Sequence, residues 1–200
     1  MNNQQHPFTR SWQAGGTRII ECERCGFKHV DPIPSPQELS EFYRDRYFQQ
    51  VKPVRYEDIT DEQIQNRTKQ ILGSEWYLAI FHKIVELLPE QTDKEQSILD
   101  VGAGNDIFAK IFQEHGWRTI VVEPNAGAAA YLRRFGLEVV ERYVDDLTLF
   151  EDESFDVVNS RFVLEHVADP ISLVREIHRV LKPGGIFRVC VPNDFSEGQL

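Results

Sequence analysis

Ile98-Leu99-Asp100-Val101-Gly102-Ala103-Gly104 is the stretch whose reading decides the fold. Ile98, Leu99 and Val101 read as a buried strand that runs straight into a turn of small residues. Only such residues let the chain reverse sharply and let a ligand approach its backbone. The helix that follows such a turn opens with orphan N–H groups and a partial positive charge suited to an anionic group. Gly-x-Gly alone is a weak signal, because a plain strand-to-helix turn uses the same residues. A second signal stands about twenty residues on, where Glu123 ends the next apolar run; in this topology an acid there holds both ribose hydroxyls of a nucleoside. A nicotinamide fingerprint wants Gly or Ala where this chain has Ile107, which disfavours a dehydrogenase.

Outward from this unit, short apolar runs alternate with longer amphipathic stretches from Ser97 onward, the signature of βαβ units and a mostly parallel sheet. Strands are expected at Ile98–Val101, Arg118–Glu123, Glu138–Tyr143, Phe155–Asn159 and Ile186–Val191. The clearest helix runs from about Pro170 to Leu181, with Ile171, Val174, Ile177, Val180 and Leu181 on one face and Pro183-Gly184-Gly185 as its stop. The predicted class is α/β, a Rossmann-like doubly wound parallel sheet over 97–200. Before it lies a helical linker, 57–96, in which apolar residues from Ile64 to Leu88 keep helical spacing and break at a new N-cap near Gly73-Ser74. Residues 1–56 form a small appendage, expected to be irregular because Pro32, Pro34 and Pro36 follow one another closely.

The chain has 200 residues, 41% hydrophobic and 11% aromatic, enough for a real core. Its 22 Lys and Arg against 32 Asp and Glu give a net charge of −10, a field that repels nucleic acid and anionic lipid surfaces. No apolar run reaches the roughly 18 residues of a membrane helix, and Met1 to Arg10 lacks the apolar core of a secretory signal, so a cytoplasmic location is expected. Three cysteines cannot build a disulfide framework, and Cys22-Glu-Arg-Cys25 suits metal or redox chemistry better.

Five segments together resemble a known family. The glycine-loop stretch, Val121-Val122-Glu123-Pro124, Phe155-Asp156-Val157-Val158, Val163-Leu164-Glu165-His166-Val167 and Leu181-Lys182-Pro183-Gly184-Gly185 are similar, in order, to the motifs of class I S-adenosylmethionine-dependent methyltransferases. The resemblance implies that Asp100, Gly102, Ala103 and Gly104 hold the methionine part of S-adenosylmethionine and that Glu123, followed by Pro124, holds the ribose. It also implies that Tyr143 and Val144 flank the adenine and that Ser160 and Arg161 line the floor near the sulfonium. Most relatives carry Gly where this chain has Asp106, whose carboxylate either repels the methionine carboxylate or pairs with its ammonium. Relatives also carry two further strands as a terminal hairpin. Pro192 to Leu200 are too few for them, so the sheet should stop at five, in the order 3-2-1-4-5, with Ile186–Val191 as an edge. An uncovered edge invites a second copy in a homodimer, unless the chain is a fragment of a longer enzyme.

Methyl transfer needs alignment, which alone can supply about 7–11 kcal/mol, and a base only where the nucleophile arrives protonated. His166, beside Glu165 after the fourth strand, is the first candidate, since His titrates near neutrality; the same residues could simply orient the loop. Arg161 and Asn193 are weaker candidates, and Cys190 reads as a buried apolar thiol. The expected acceptor is a small molecule or a saccharide-linked group. A binding module without catalysis is the alternative, supported by Asp106 and the short carboxyl end.

Cys22, Cys25 and Gly26 read as half of a zinc knuckle. The segment from there through Glu41-Phe42-Tyr43 resembles the zinc-binding leader of some bacterial methyltransferases, including sugar C-methyltransferases. The earlier Cys pair of those leaders is missing here. His29, and His6 upstream, could complete a zinc site with Cys22 and Cys25.

Overall fold

The protein is described from a computed structural model covering residues 6–14, 16–51, 53–89 and 95–192. The appendage is not irregular: β1 (Phe8–Ala14), β2 (Thr17–Cys22) and β3 (Lys28–Asp31) form a three-stranded antiparallel sheet. Its amphipathic signal is faint because β1 is exposed along nearly its whole length, and only Ile20 and Cys22 of β2 are buried. Cross-strand pairs hold it instead, including an Arg18–Asp31 ion pair and Lys28 over the Trp12 ring. The prolines fall after β3, where Pro36 starts α1 (Pro36–Glu41) behind a Ser35–Glu38 capping box. A ten-residue π-helical stretch, Phe42–Val51, continues from it. Wound at i→i+5 such helices are rare, and they cluster at functional sites.

The linker forms two helices, α2 (Asp61–Leu72), capped by Thr60, and α3 (Glu75–Leu87), capped by Ser74 at the expected break. Then come β4 (Ser97–Val101), α4 (Ala109–Glu114), β5 (Arg118–Val122), α5 (Ala126–Arg133), β6 (Glu138–Val140), β7 (Phe155–Arg161), α6 (Pro170–Val180) and β8 (Leu181–Cys190). The five strands are all parallel, in the order β6-β5-β4-β7-β8, which is the expected 3-2-1-4-5. Alternation along β4 sends Ile98 to one face, with Phe108, Phe112, Phe81 and Trp117, and Leu99 and Val101 to the other, with Leu173, Ile177 and Val180 of α6. With apolar layers on both faces, every residue of β4 is buried, as a doubly wound fold requires.

Most strand boundaries shift by a residue or two, and those of β6 and β8 differ most from expectation. β6 ends at Val140, which leaves Tyr143 and Val144 in the loop that follows. β8 begins at Leu181, and Pro183-Gly184-Gly185 lies inside it as an irregularity between the pairs Phe155–Leu181 and Val157–Ile186. Leu181 itself stops α6 by turning extended, at φ −75° and ψ 133°. β8 is only half-buried and, among the described residues, sits at the open edge of the sheet. Asp156, fully buried, ties the amino ends of the strands together by accepting from Ser97 N (2.8 Å) and Lys182 Nζ (2.7 Å).

Candidate functional site

The glycine loop leaves β4 through two left-handed residues, Gly102 at φ +72° and Gly104 at φ +59°. A Cβ on Gly102 would stand 2.6 Å from Val163 Cγ2, so any side chain there collides with the loop after β7. Glu123, just past the end of β5, is 3% exposed. Gly104 N donates to its Oε2 (2.8 Å) and Asn125 N donates to its Oε1 (2.9 Å). Burial pushes the Glu123 carboxyl up, while the N–H groups of Asn125 and Gly104 pull it back. The two features that opened the sequence reading therefore touch each other. A carboxylate accepts at about four lone-pair positions, so two remain for a vicinal diol.

Beneath the loop, Asp100 is 2% exposed and receives Asn159 Nδ2 at 2.5 Å, and Arg188 Nη1 donates to Asn159 Oδ1 at 2.5 Å. Desolvation pushes the Asp100 carboxyl up to about 7. Asp106 does not stand alone: its Oδ2 accepts from Arg161 Nη1 at 2.7 Å, and its Oδ1 accepts from Phe108 N at 3.1 Å. Arg161 thus neutralises the carboxylate that departs from the family pattern. Ile107, fully buried, packs in the core just before α4.

Two of the buried hydroxyls without a hydrogen bond among the described residues stand near this rim. Ser160 Oγ at the end of β7 and Tyr143 Oη in the loop after β6 are both buried atoms without a hydrogen bond. An unsatisfied buried hydroxyl costs about 1–3 kcal/mol, so a bound polar group would relieve both. Burial, then Asp145, pushes the Tyr143 phenol up to about 12. Val144 is buried behind Gly102, while Ala103 and Pro124 are half-buried along the same rim. These groups, at the carboxyl ends of β4, β5 and β7, fit a nucleoside carrying a charged amino-acid tail.

His166 lies in a short 3-10 turn, Leu164–His166, after β7. Burial lowers its pKa, which keeps the ring neutral at pH 7. Its Nδ1 is 2.8 Å from Tyr43 Oη, and its Nε2 is 3.9 Å from Glu165 Oε1. Sequence reasoning gave Tyr43 no role: it lies 123 residues from His166, and its only signal was its place in the Glu41-Phe42-Tyr43 leader. Asn193 lies outside the described residues, and Cys190 is half-exposed at the end of β8 rather than buried.

In the appendage, His6, Cys22, Cys25 and His29 place one ligand atom each within 4.8 Å of one another. His6 Nδ1 is 3.3 Å from Cys22 Sγ, 3.4 Å from Cys25 Sγ and 3.2 Å from His29 Nε2. Burial raises the Cys22 thiol, but the Cys25 N–H, His29 and His6 outweigh it and bring it down to about 6. Two thiols and two imidazoles are a donor set that fits tetrahedral zinc. A separate cleft of about 450 Å³, lined by residues such as Asp152, Arg179 and Lys182, opens at the amino ends of β7 and β8, away from all of these groups.

A sequence model of the methyltransferase-domain family matches residues 74–200. A ubiquinone biosynthesis O-methyltransferase of Ruegeria pomeroyi is 35% identical over 98 residues, covering 46% of this chain and 39% of that protein. An uncharacterized methyltransferase of Mycobacterium sp. (strain KMS) is 33% identical over 159 residues, covering 74% of this chain and 52% of that protein. The chain thus spans about half, or less, of the length of these relatives. Among solved structures, a SAM-dependent methyltransferase of Thermotoga maritima, described as a possible histamine N-methyltransferase, is 26% identical with a TM-score of 0.45, covering 64% of this chain and 58% of that one.

Proposed function

The chain belongs to the methyltransferase-domain family, and on that premise we propose that it binds S-adenosylmethionine across the carboxyl rim of the sheet and methylates a small-molecule or saccharide-linked acceptor. The observation that carries this reading is the bond from Gly104 N to Glu123 Oε2, which brings loop and acid together with two acceptor positions to spare. S-adenosylmethionine supplies a methyl group activated on a positively charged sulfur. In this reading Asp100 and Gly102 to Gly104 hold the methionine part, and Glu123 and Pro124 the ribose. Tyr143 and Val144 flank the adenine, and Ser160 and Arg161 line the floor. Because transfer removes positive charge, the protein's task is alignment and exclusion of water, with His166 taking a proton where the acceptor carries one. The relatives named O-methyltransferases support oxygen as the methylated atom.

His6, Cys22, Cys25 and His29 would hold a structural zinc that fixes the appendage, the small unit ahead of the linker. The open edge of β8 supports pairing with a second copy, which light scattering would check. The net charge of −10 speaks against nucleic-acid partners, and among the described residues no helix is long and apolar enough to cross a membrane; a cytoplasmic location fits both. Calorimetry with S-adenosylhomocysteine and, separately, with NAD tests the central reading. Saturable binding of the first alone supports it, and no binding of S-adenosylhomocysteine overturns it.

A further inference from the structure

We propose that Tyr43, carried by the amino-terminal leader, is a positioning residue that fixes His166 in the tautomer able to accept a proton at Nε2. The inference rests on the methyl-transfer reading and adds the leader to the acceptor side of that site.

Three observations converge on it. The Tyr43 hydroxyl is 2.8 Å from His166 Nδ1, a full hydrogen bond between residues at opposite ends of the described chain. The backbone that presents Tyr43 is fastened independently, since Asn125 Nδ2 donates to the Arg44 carbonyl at 2.6 Å. The π-helical winding of Phe42–Val51 sets the Tyr43 and Tyr47 rings side by side, 5.1 Å apart, facing the imidazole at 5.2 and 6.3 Å.

A neutral imidazole offers one donor and one acceptor nitrogen, and the partner of one nitrogen decides the role of the other. With Nδ1–H donating to the phenol oxygen, Nε2 keeps its lone pair; with the phenol donating instead, Nε2 would carry the hydrogen and could take no proton. The phenol stays un-ionised, because burial, Tyr47, Tyr143 and Glu165 all raise its pKa, so it can accept the Nδ1–H bond while keeping its own proton. Among the described residues, the titratable groups facing the ring are Tyr43 and Tyr47 from the leader and Glu165 from its own turn. Glu165 Oε1, 3.9 Å from Nε2, favours the imidazolium once it forms. In the step served, a lone pair of the acceptor oxygen bonds to the methyl carbon and the carbon–sulfur pair stays on sulfur. The hydroxyl proton passes to Nε2, and the O–H pair remains on oxygen. Only an acceptor with a proton to lose gains from this pair, which selects hydroxyl substrates over sulfides and tertiary amines.

The test is ring-nitrogen NMR of the full chain labelled with 15N-histidine, with His166 assigned by its loss in His166→Gln. Spectra are recorded from pH 5 to 9 with S-adenosylhomocysteine present. The wild type should show neutral His166 protonated at Nδ1 and bare at Nε2. Tyr43→Phe, which removes one oxygen, should lose that single-tautomer pattern, while Tyr47→Phe should keep it. A wild-type ring protonated at Nε2, or a Tyr43→Phe spectrum identical to the wild type, would overturn the proposal. Unfolding of Tyr43→Phe would show as collapse of all histidine signals, and the wild-type tautomer then decides alone. Calorimetry on the same samples keeps the two ideas apart: failure to bind S-adenosylhomocysteine defeats the methyl-transfer reading, whereas intact binding with the wrong tautomer defeats only the role of Tyr43.

Discussion

Replacing Asp100 by Asn changes one atom of the side chain and removes the acid buried beneath the glycine loop. Asp100 is 2% exposed. Desolvation lifts its pKa from 3.8 to about 7, opposed by Asn159 and Arg188 and helped by Asp106 and Glu123. Between those two values the folded protein binds more protons at this site than the unfolded chain does. The stability it contributes is therefore full below about pH 4 and is lost as pH rises through about 7. At roughly 1.4 kcal/mol per pH unit, softened near each end, the loss from about pH 4.5 to about pH 7.5 comes to about 3 kcal/mol. Asn has nothing to ionise, and the other carboxylates are common to both proteins, so their effects cancel. In urea melts at those two pH values, the stability of Asp100→Asn relative to wild type should be about 3 kcal/mol more favourable at the higher one. Affinity for S-adenosylhomocysteine should move the opposite way, weakening at least about tenfold with loss of a charged acceptor. A stability difference that stays flat with pH would show that this carboxyl is ionised at ordinary cost, and would refute the argument.

Glu123→Ala should weaken S-adenosylhomocysteine binding by about 1.5–3 kcal/mol in calorimetry, because bonds to a charged acceptor are lost; an unchanged affinity would mean that Glu123 does not grip the ribose. Gly102→Ala places a methyl 2.6 Å from Val163 Cγ2 on a backbone at φ +72°, and thermal melting should show a loss of about 1–3 kcal/mol; Gly102→Ala combined with Val163→Ala should recover part of it. Equilibrium dialysis with zinc should give one ion per chain, reduced by Cys22→Ser or Cys25→Ser, and chelation should lower the melting temperature of the appendage; stoichiometry unaltered by both variants would place the metal elsewhere.

The sheet was legible because β4, β5 and β7 are buried runs between turn residues, and burial on both faces leaves a strand few other sequences to choose from. Gly104 and Glu123 were found by spacing, and the structure joins them with one hydrogen bond. The antiparallel appendage escaped notice for the opposite reason. β1 turns almost every residue to solvent, so its alternation hides nothing apolar, and pairing rather than patterning makes it a strand. The start of β8 was missed because Pro183-Gly184-Gly185 signals a break in any local reading, whereas the sheet absorbs those residues as an irregularity beside β7. Asp106 looked like a defect until Arg161, at the end of another strand, came within 2.7 Å. Tyr43 was beyond reach altogether, since no local pattern reports a partner 123 residues away.

Residues 43 and 44 are neighbours in the chain, yet one is tied through its side chain to the loop after β7 and the other through its carbonyl to the N-cap of α5. The leader is thereby a crossbeam between the half of the molecule assigned to the nucleoside and the half assigned to the methyl acceptor. In the proposed reading, a substitution that moves this beam should disturb both contacts at once, so acceptor choice and donor affinity should change together. Grafting the leader of one relative onto the core of another would transplant the two properties as a pair.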